Sequence, residues 1–219
     1  FMDRPCIEAT EAFAKAGYPM CEALLIVEVE GSEAEIDEQL GVIKQIARAH
    51  DPVELREAQS EDEAKRIWLG RKSAFGAMGQ INDYMCLDGT IPVSALPKVL
   101  RQIGEMSEEF GLKVANVFHA GDGNMHPLIL FDANKPGDLE LCERFGAEIL
   151  KLCVEVGGCL TGEHGVGIEK RDLMGTQFDP QDLEIQMKVK DVFDPAWLLN
   201  PAKVFPLAAS EARRRRGFA

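Results

Sequence analysis

The chain has 219 residues, 46% of them hydrophobic and 28% charged, which is typical of globular domains and excludes a disordered or collagen-like chain. A formal net charge of −13 argues against a general affinity for nucleic acid or anionic membranes. No apolar run approaches the roughly 20 residues of a membrane span. The six cysteines include no Cys-x-x-Cys pair, so we expect reduced thiols in a cytoplasmic protein.

Strands and helices are predicted to alternate along the first part of the chain. An apolar run over 23–30, alternating near its end, predicts a strand. Ser32 with Glu35 forms a capping box that opens a helix ending near residue 49, and Ser60 with Glu63 opens a second helix. A loop rich in glycine and asparagine then follows this second helix.

The later elements predict an α+β fold with an antiparallel sheet. A short strand near 84–87 precedes a helix over 94–110, which Gly111 can end in the left-handed conformation. Two strands, 113–119 and 125–131, form a predicted hairpin, and helices separated by such strands favour an antiparallel sheet. The sequence further predicts a helix over 139–155, a strand near 158–161, a helix opened by Asp179-Pro180, and a polar tail with solvated arginines at 213–216.

Two histidines flank the turn that is predicted at Asp122-Gly123. A two-residue Asp-Gly turn between two apolar runs places His119 directly opposite His126. Directly opposed residues share a face of the hairpin, with Cβ atoms about 4.5–5.5 Å apart, so both imidazoles can reach one metal ion. The alternative is two half-buried histidines that are bonded to backbone.

A second candidate cluster lies in the glycine-rich run Thr161-Gly-Glu-His-Gly-Val-Gly167. Adding the Glu163 carboxylate to His119 and His126 gives a donor set suited to zinc, manganese or iron. His164, next to Glu163 but projecting differently, is then free to act as a base. The alternative is an ordinary turn with a solvated Glu-His pair.

Arg71 is the third candidate. It follows Ile67 and Trp68 at helical spacing, on or beside an apolar face. A buried guanidinium needs an acidic partner, and a substrate carboxylate would supply a bidentate one. A snorkelling arginine or a structural ion pair is the alternative.

Five motifs together resemble the FAD-linked oxidases of the vanillyl-alcohol oxidase type, from near Phe1 to about Pro206. They are Trp68-Leu-Gly-Arg-Lys72, Asp88-Gly-Thr-Ile-Pro92, Asn116-Val-Phe-His-Ala-Gly-Asp-Gly-Asn-Met-His-Pro127, Gly162-Glu-His-Gly-Val-Gly167 and Asn200-Pro-Ala-Lys-Val-Phe-Pro206. The resemblance implies a ferredoxin-like cap that binds substrate over 1–165, a helical segment over 166–206 that returns to the flavin, and a tail over 207–219. It also implies that FAD is held mainly by an N-terminal domain outside this chain.

The resemblance assigns a role to each candidate residue. It places a divalent metal on His119, His126 and Glu163, the substrate carboxylate on Arg71, proton abstraction on His164, and Asn200 beside the flavin. The implied reaction converts glycolate or D-lactate to the 2-oxo acid by metal-assisted hydride transfer to FAD, and we expect this chain alone to be inactive. Other oxidase subunits, including an iron-sulfur subunit, are implied partners that would bring the protein to a membrane. A second copy of the chain is a further implied partner, which would cover exposed cap surface.

Four positions depart from the family pattern. Related enzymes for larger diacids carry threonine, lysine and asparagine where this chain has Phe75, Cys86 and Leu128. Losing these polar groups predicts a small 2-hydroxy monocarboxylic acid as substrate. Ala202 replaces the glycine that is common in the Asn-Pro-Gly-Lys motif.

Two other functional classes remain open from the sequence. A freestanding metal hydrolase would use Glu163 or His164 to activate water and would act on an ester or amide without flavin. A non-catalytic metal-binding interaction subunit would tolerate alanine at Arg71 and His164 without loss of any partner's activity.

Overall fold

The computed structural model describes residues 1–216. Within them lie eight helices: Arg4–Ala14 (α1), Glu33–Arg48 (α2), Glu61–Gly79 (α3), Leu96–Phe110 (α4), Asp138–Glu155 (α5), Met174–Gln177 (α6), Pro180–Phe193 (α7) and Leu207–Arg216 (α8). The strands are Met2–Asp3 (β1), Ala23–Leu24 (β2), Asp83–Cys86 (β3), Gly89–Thr90 (β4), Val114–Asn116 (β5), Asn124–Met125 (β6) and Pro127–Phe131 (β7). The predicted α+β class with small antiparallel sheets is confirmed. No helix among these residues is long and apolar enough to cross a membrane.

The first of two compact units comprises residues 1–82 and 115–117. Helix α1 packs against α3 in this unit. The Tyr18 hydroxyl donates a hydrogen bond to the Ile67 carbonyl of α3. Gly70 permits this approach, because a Cβ there would overlap the Tyr18 ring. The unit is therefore held by close helix packing rather than by a large sheet.

Two predictions for this unit need correction. The strand predicted over 23–30 is wrong in length, because only Ala23 and Leu24 pair, with Asp3 and Met2. Helix α1 was not predicted, although Asp3 caps it by accepting the Cys6 N–H at 3.2 Å. Both predicted capping serines are confirmed at the starts of α2 and α3.

The second unit comprises residues 83–114 and 118–219, and its core lies between a sheet and two helices. Strands β3 and β7 pair antiparallel, with Cys86 opposite Leu128. At the other edge of β7, the Leu130 N–H donates to the Lys113 carbonyl at 2.8 Å. Helices α4 and α5 contact each other through Phe110 and Phe145, whose ring centroids are 5.0 Å apart. All six cysteines of the chain are free, as expected.

A second small sheet in this unit connects three distant stretches of sequence. Strands β4 and β6 pair with Thr90 opposite Asn124. Isolated bridges add Cys159 opposite Thr90, and His119 opposite Asn124. The strand predicted near 158–161 is thus reduced to the bridge at Cys159. The pairing brings residues 89–90, 124–125 and 159 next to one another in the fold.

The C-terminal region is helical for longer than the sequence suggests. Asp179 caps α7 as predicted, accepting the Gln181 and Asp182 N–H groups at 2.8 and 2.9 Å. The predicted tail forms α8 up to Arg216. Arg213 pairs with Glu184 and Asp191 of α7, so the expectation of a fully solvated arginine run is wrong for this residue. The rest of the tail, 217–219, lies outside the described residues.

The predicted division at residue 165, between the cap and the segment that would return to the flavin, stays a prediction.

Candidate functional site

The hairpin that carries two of the histidines has a longer turn than predicted. The His119 N–H donates to the Asn124 carbonyl at 3.3 Å, so residues 120–123 form the loop. The predicted two-residue turn and the direct pairing of His119 with His126 are wrong. The reason is non-local: the Gly123 carbonyl accepts the Ile91 N–H at 2.9 Å and so extends the β4–β6 ladder.

The corrected register still leaves the two imidazoles on the same face. It differs from the predicted register by two residues, and only an odd shift moves a side chain to the opposite face. His119 and His126 are therefore diagonal neighbours, within reach of each other across the ladder. Their ring centroids lie 5.9 Å apart in an edge-on arrangement.

His126 is oriented by a backbone carbonyl. Its buried ring places Nδ1 3.0 Å from the Leu87 oxygen. A carbonyl oxygen only accepts, so Nδ1 carries a proton, and the Nε2 of a neutral ring presents a lone pair. That Nε2 lies 3.1 Å from Oε1 of Glu163, which is another acceptor. Two facing acceptors require a proton on one of them or a cation between them.

The spacing of these atoms fits a metal ion. Two ligand atoms held about 2.1 Å from a tetrahedral ion are about 3.4 Å apart, close to the observed separation. Asp88, His126, Glu163 and His164 each offer a ligand atom, and these atoms all lie within 4.8 Å of one another. Nitrogen and carboxylate donors of this kind suit zinc, manganese or iron.

The cluster lacks one predicted ligand, His119, and adds two residues, Asp88 and His164. His126 and Glu163 meet as expected, and His164 joins them: its ring stacks on His126 at 5.2 Å and its Nε2 lies 3.9 Å from Oε1 of Glu163. His119 is exposed and stands outside the group. The division of these residues into ligands and base stays a prediction.

An open cavity of about 310 Å³ lies beside Glu163. It is lined by Thr90, His119, Asp122, Asn124, Gly162 and Glu163. The buried Asn124 Oδ1 that faces this region accepts no hydrogen bond within the described residues. The volume is at the lower end of the range for ligand pockets, and its lining suits a small polar molecule.

Asp88 is a member of the cluster that the sequence did not assign a role. It is fully buried. Its carboxylate accepts hydrogen bonds from Thr161 Oγ1, from the backbone N–H groups of Gly162, Glu163 and His164, and from Lys170 Nζ, at 2.7–3.0 Å. Burial acts to raise the pKa of Asp88, but these donors outweigh it and hold that pKa well below its usual range. The motif Asp88-Gly-Thr-Ile-Pro92 was visible, yet nothing in the sequence pairs it with Lys170.

Arg71 lies in the first unit, on α3. Its guanidinium is half-buried and lies over the Phe75 ring at 5.8 Å. Burial lowers the pKa of Arg71, and the groups that counteract this are Cys6 and Tyr18 rather than any carboxylate. Among residues 1–216, Arg71 makes no ion pair with an acidic side chain. A site that binds a ligand carboxylate needs an arginine in this state.

Asn200 lies exposed in a turn of the second unit. Its φ of 44° is left-handed, as are the φ angles of Ala202 (60°) and Val204 (71°). The Val204 N–H donates to the Gly167 carbonyl at 2.7 Å, and Arg171 donates to the Ala202 carbonyl at 2.7 Å. The segment with Asn200 is therefore fastened to the loop that follows His164.

The fold and the site agree with one family. Residues 1–204 match the model of the family described as FAD linked oxidases, C-terminal domain. The chain belongs to this family.

Two curated relatives carry the same name. The glycolate oxidase subunit GlcD of Escherichia coli strain K12 is 50% identical over 94% of this chain and 42% of its own length. The Bacillus subtilis protein of that name is 32% identical over 98% of this chain and 46% of its own length. This chain thus spans less than half of these oxidoreductases.

A solved structure supports the fold alone. The 4-ethylphenol oxidase from Gulosibacter chungangensis matches with a TM-score of 0.55 at 16% identity, over 82% of this chain and 38% of that chain. The resemblance to the FAD-linked oxidases is confirmed by the family match over residues 1–204.

Proposed function

We propose that this chain is the substrate-binding and metal-binding part of a flavin-dependent 2-hydroxy acid oxidoreductase that acts on glycolate or D-lactate. The observation that carries the proposal is the meeting of His126, Glu163 and His164 beside a small polar cavity in a member of the FAD-linked oxidase family. The identity of the E. coli relative, a glycolate oxidase subunit, supports a hydroxy acid as substrate.

The proposed ligands of a divalent metal are His126, Glu163 and His119. The orientation of His126 by the Leu87 carbonyl and the short separation of its Nε2 from Glu163 support the first two. His119 lines the same cavity as Glu163, which supports it as the third. When bound, such an ion would lower the pKa of a coordinated substrate hydroxyl.

The remaining residues position the substrate and move a proton. Arg71 would hold the substrate carboxylate through paired N–H donors. His164 would accept the hydroxyl proton while the C2–H bond breaks and the C2–O double bond forms. FAD, when bound, would supply the redox chemistry as the acceptor of the C2 hydride, and Asn200 is the proposed contact to it.

A monocarboxylic substrate is favoured over a diacid. Cys86 and Leu128 occupy positions where relatives for larger acids carry polar groups, and the two lie opposite each other in the β3–β7 register. Burial, followed by the charges of Asp88 and Glu169, raises the pKa of the Cys86 thiol to about 11, so it is neutral near pH 7. Leu128 is fully buried. Neither position offers a positive charge to a second carboxylate.

The proposal is tested with the flavin-loaded holoenzyme under anaerobic conditions. Glycolate and D-lactate are expected to bleach the flavin absorbance, whereas D-2-hydroxyglutarate should do so far more slowly. Stopped-flow absorbance gives the rate for each acid. The proposal fails if no 2-hydroxy acid reduces the flavin, or if the chain instead hydrolyses an ester or amide without flavin.

Replacing Arg71 by alanine is expected to raise KM for the preferred acid about 10- to 150-fold, since a hydrogen-bonded charge contributes roughly 1.5–3 kcal/mol. We expect kcat to change less, because Arg71 binds a group that does not react. Steady-state kinetics measure both constants.

The matched control is Arg66→Ala, which removes an exposed arginine from the same helix. It should leave KM within about twofold of the unmodified enzyme. Equal effects of the two substitutions would contradict the role of Arg71.

The assembly proposed for the protein follows from the relatives' description as subunits. We place the chain in a complex with other oxidase subunits, including an iron-sulfur subunit, through which it would associate with a membrane. Association of two copies through exposed cap surface is proposed as well.

A further inference from the structure

We infer that Asp88 is a positioning residue, which fixes the backbone of the Thr161–His164 loop and thereby sets where the Glu163 and His164 side chains stand. The inference rests on the proposed function, because it takes Glu163 and His164 to act at the metal. It assigns to Asp88 no bond to the metal itself.

The hydrogen bonds at Asp88 tie its carboxylate to the 161–164 loop and to Lys170. Oδ2 accepts from Thr161 Oγ1, Gly162 N, His164 N and Lys170 Nζ, and Oδ1 accepts from Glu163 N. Five donors thus meet this carboxylate, four at Oδ2 and one at Oδ1, and a metal ion would compete with them for the same oxygen atoms. We therefore assign Asp88, a member of the 4.8 Å cluster, to the loop rather than to the metal.

The same bonds define the conformation of the loop. Three consecutive N–H groups, those of Gly162, Glu163 and His164, converge on one side chain. The Asp88 backbone carbonyl also accepts the Gly162 N–H at 2.9 Å. Any displacement of this carboxylate would move all three amides, and with them the two proposed functional side chains.

Lys170 has a different part in this arrangement. It is 2% exposed and lies 3.0 Å from Oδ2 of Asp88. Its charge compensates the buried carboxylate, but it donates nothing to the backbone of the loop. Lys170 should therefore affect stability more than it affects the position of Glu163 and His164.

Leu87 and Asp88, which are adjacent in sequence, thus orient the residues on the two sides of the proposed metal site. The Leu87 carbonyl accepts the proton on Nδ1 of His126, and the next residue, Asp88, holds the loop with Glu163 and His164. Both lie directly after β3, so one short stretch of backbone sets the separation between His126 Nε2 and Glu163 Oε1.

The first test measures Mn²⁺ affinity of the holoenzyme by titration calorimetry. We expect Asp88→Asn to weaken Mn²⁺ binding about 10- to 100-fold, the usual effect of losing a group that orients a ligand. Lys170→Met should lower the unfolding temperature while it keeps the affinity within about threefold. A purely structural ion pair would not give this result, in which Asp88→Asn changes the Mn²⁺ affinity and Lys170→Met changes only the stability.

The matched control is Asp138→Asn. Asp138 is also buried, pairs with Lys135 at 2.6 Å and accepts the Asp132 N–H at 3.1 Å, but it caps no part of the 161–164 loop. It should change Mn²⁺ affinity by less than twofold. If Asp88→Asn does not fold, the double variant Asp88→Asn with Lys170→Met leaves no unpaired buried charge and takes its place.

The second test is independent of any metal. Amide hydrogen exchange at residues 162–164 of the metal-free protein should accelerate at least tenfold in the Asp88 variant and stay unchanged in Asp138→Asn. Unchanged exchange at these amides, or Mn²⁺ affinity kept within twofold, overturns the inference. If the unmodified protein binds no Mn²⁺, the proposed metal function fails, and the exchange rates alone decide the role of Asp88.

Discussion

Replacing His164 by alanine in the holoenzyme is expected to lower kcat about 10²- to 10⁴-fold, the usual contribution of a positioned general base. KM should stay within about threefold, because a base that accepts the proton in the transition state adds little to substrate binding. The His164 side chain is 47% exposed, so a small base from solution can reach its place. Added imidazole is therefore expected to restore part of the lost rate.

The control for this substitution is His50→Ala, which removes an exposed histidine that lies outside the site. Its kcat and imidazole response should match those of the unmodified enzyme. A near-normal kcat for His164→Ala, or a fall in rate that arises only through KM, would contradict the role of His164 as the base.

Replacing Glu163 by glutamine is expected to weaken Zn²⁺ or Mn²⁺ binding by more than about 100-fold, beyond the loss found for residues that only orient a ligand. Glutamine keeps the shape of the side chain but removes the charge that faces Nε2 of His126 at 3.1 Å. The measurements are metal titration of the apoprotein and kcat/KM after metal is restored, which should fall in parallel.

Glu169→Gln serves as the control, because Glu169 is exposed in the same stretch and lies outside the cluster. It should keep metal affinity within about twofold. Retained affinity in Glu163→Gln would show that the carboxylate is not a ligand, and activity retained without any metal would remove the ion from the proposed reaction.

Local sequence rules predicted the elements whose determinants are local. The caps at Ser32, Ser60 and Asp179 were found because each acts on its own first helical turn. The strand over 23–30 was overestimated because an apolar run predicts a strand only where a partner exists, and β1 offers two residues. The length of the partner strand β1 cannot be read from the apolar run over 23–30.

The site was predictable in its residues and less so in its geometry. His126, Glu163 and His164 were identified from their motifs. The register of the hairpin, however, is set by a hydrogen bond from outside it, in which the Ile91 N–H donates to the Gly123 carbonyl. The pairing of Asp88 with Lys170 joins positions 82 residues apart. Tertiary packing decides such pairs, and no local pattern records them.

The turn with Asn200 has a consequence for how this part of the site holds its shape. A left-handed conformation costs an L-residue roughly 1–2 kcal/mol, and Ala202 and Val204 both adopt it. The replacement of the family's glycine by Ala202 therefore adds backbone strain, because glycine would occupy that conformation freely. Two hydrogen bonds, one to the Gly167 carbonyl and one from Arg171, hold the segment in this strained conformation. If either bond were lost, the strained backbone would relax, and Asn200 would move with it.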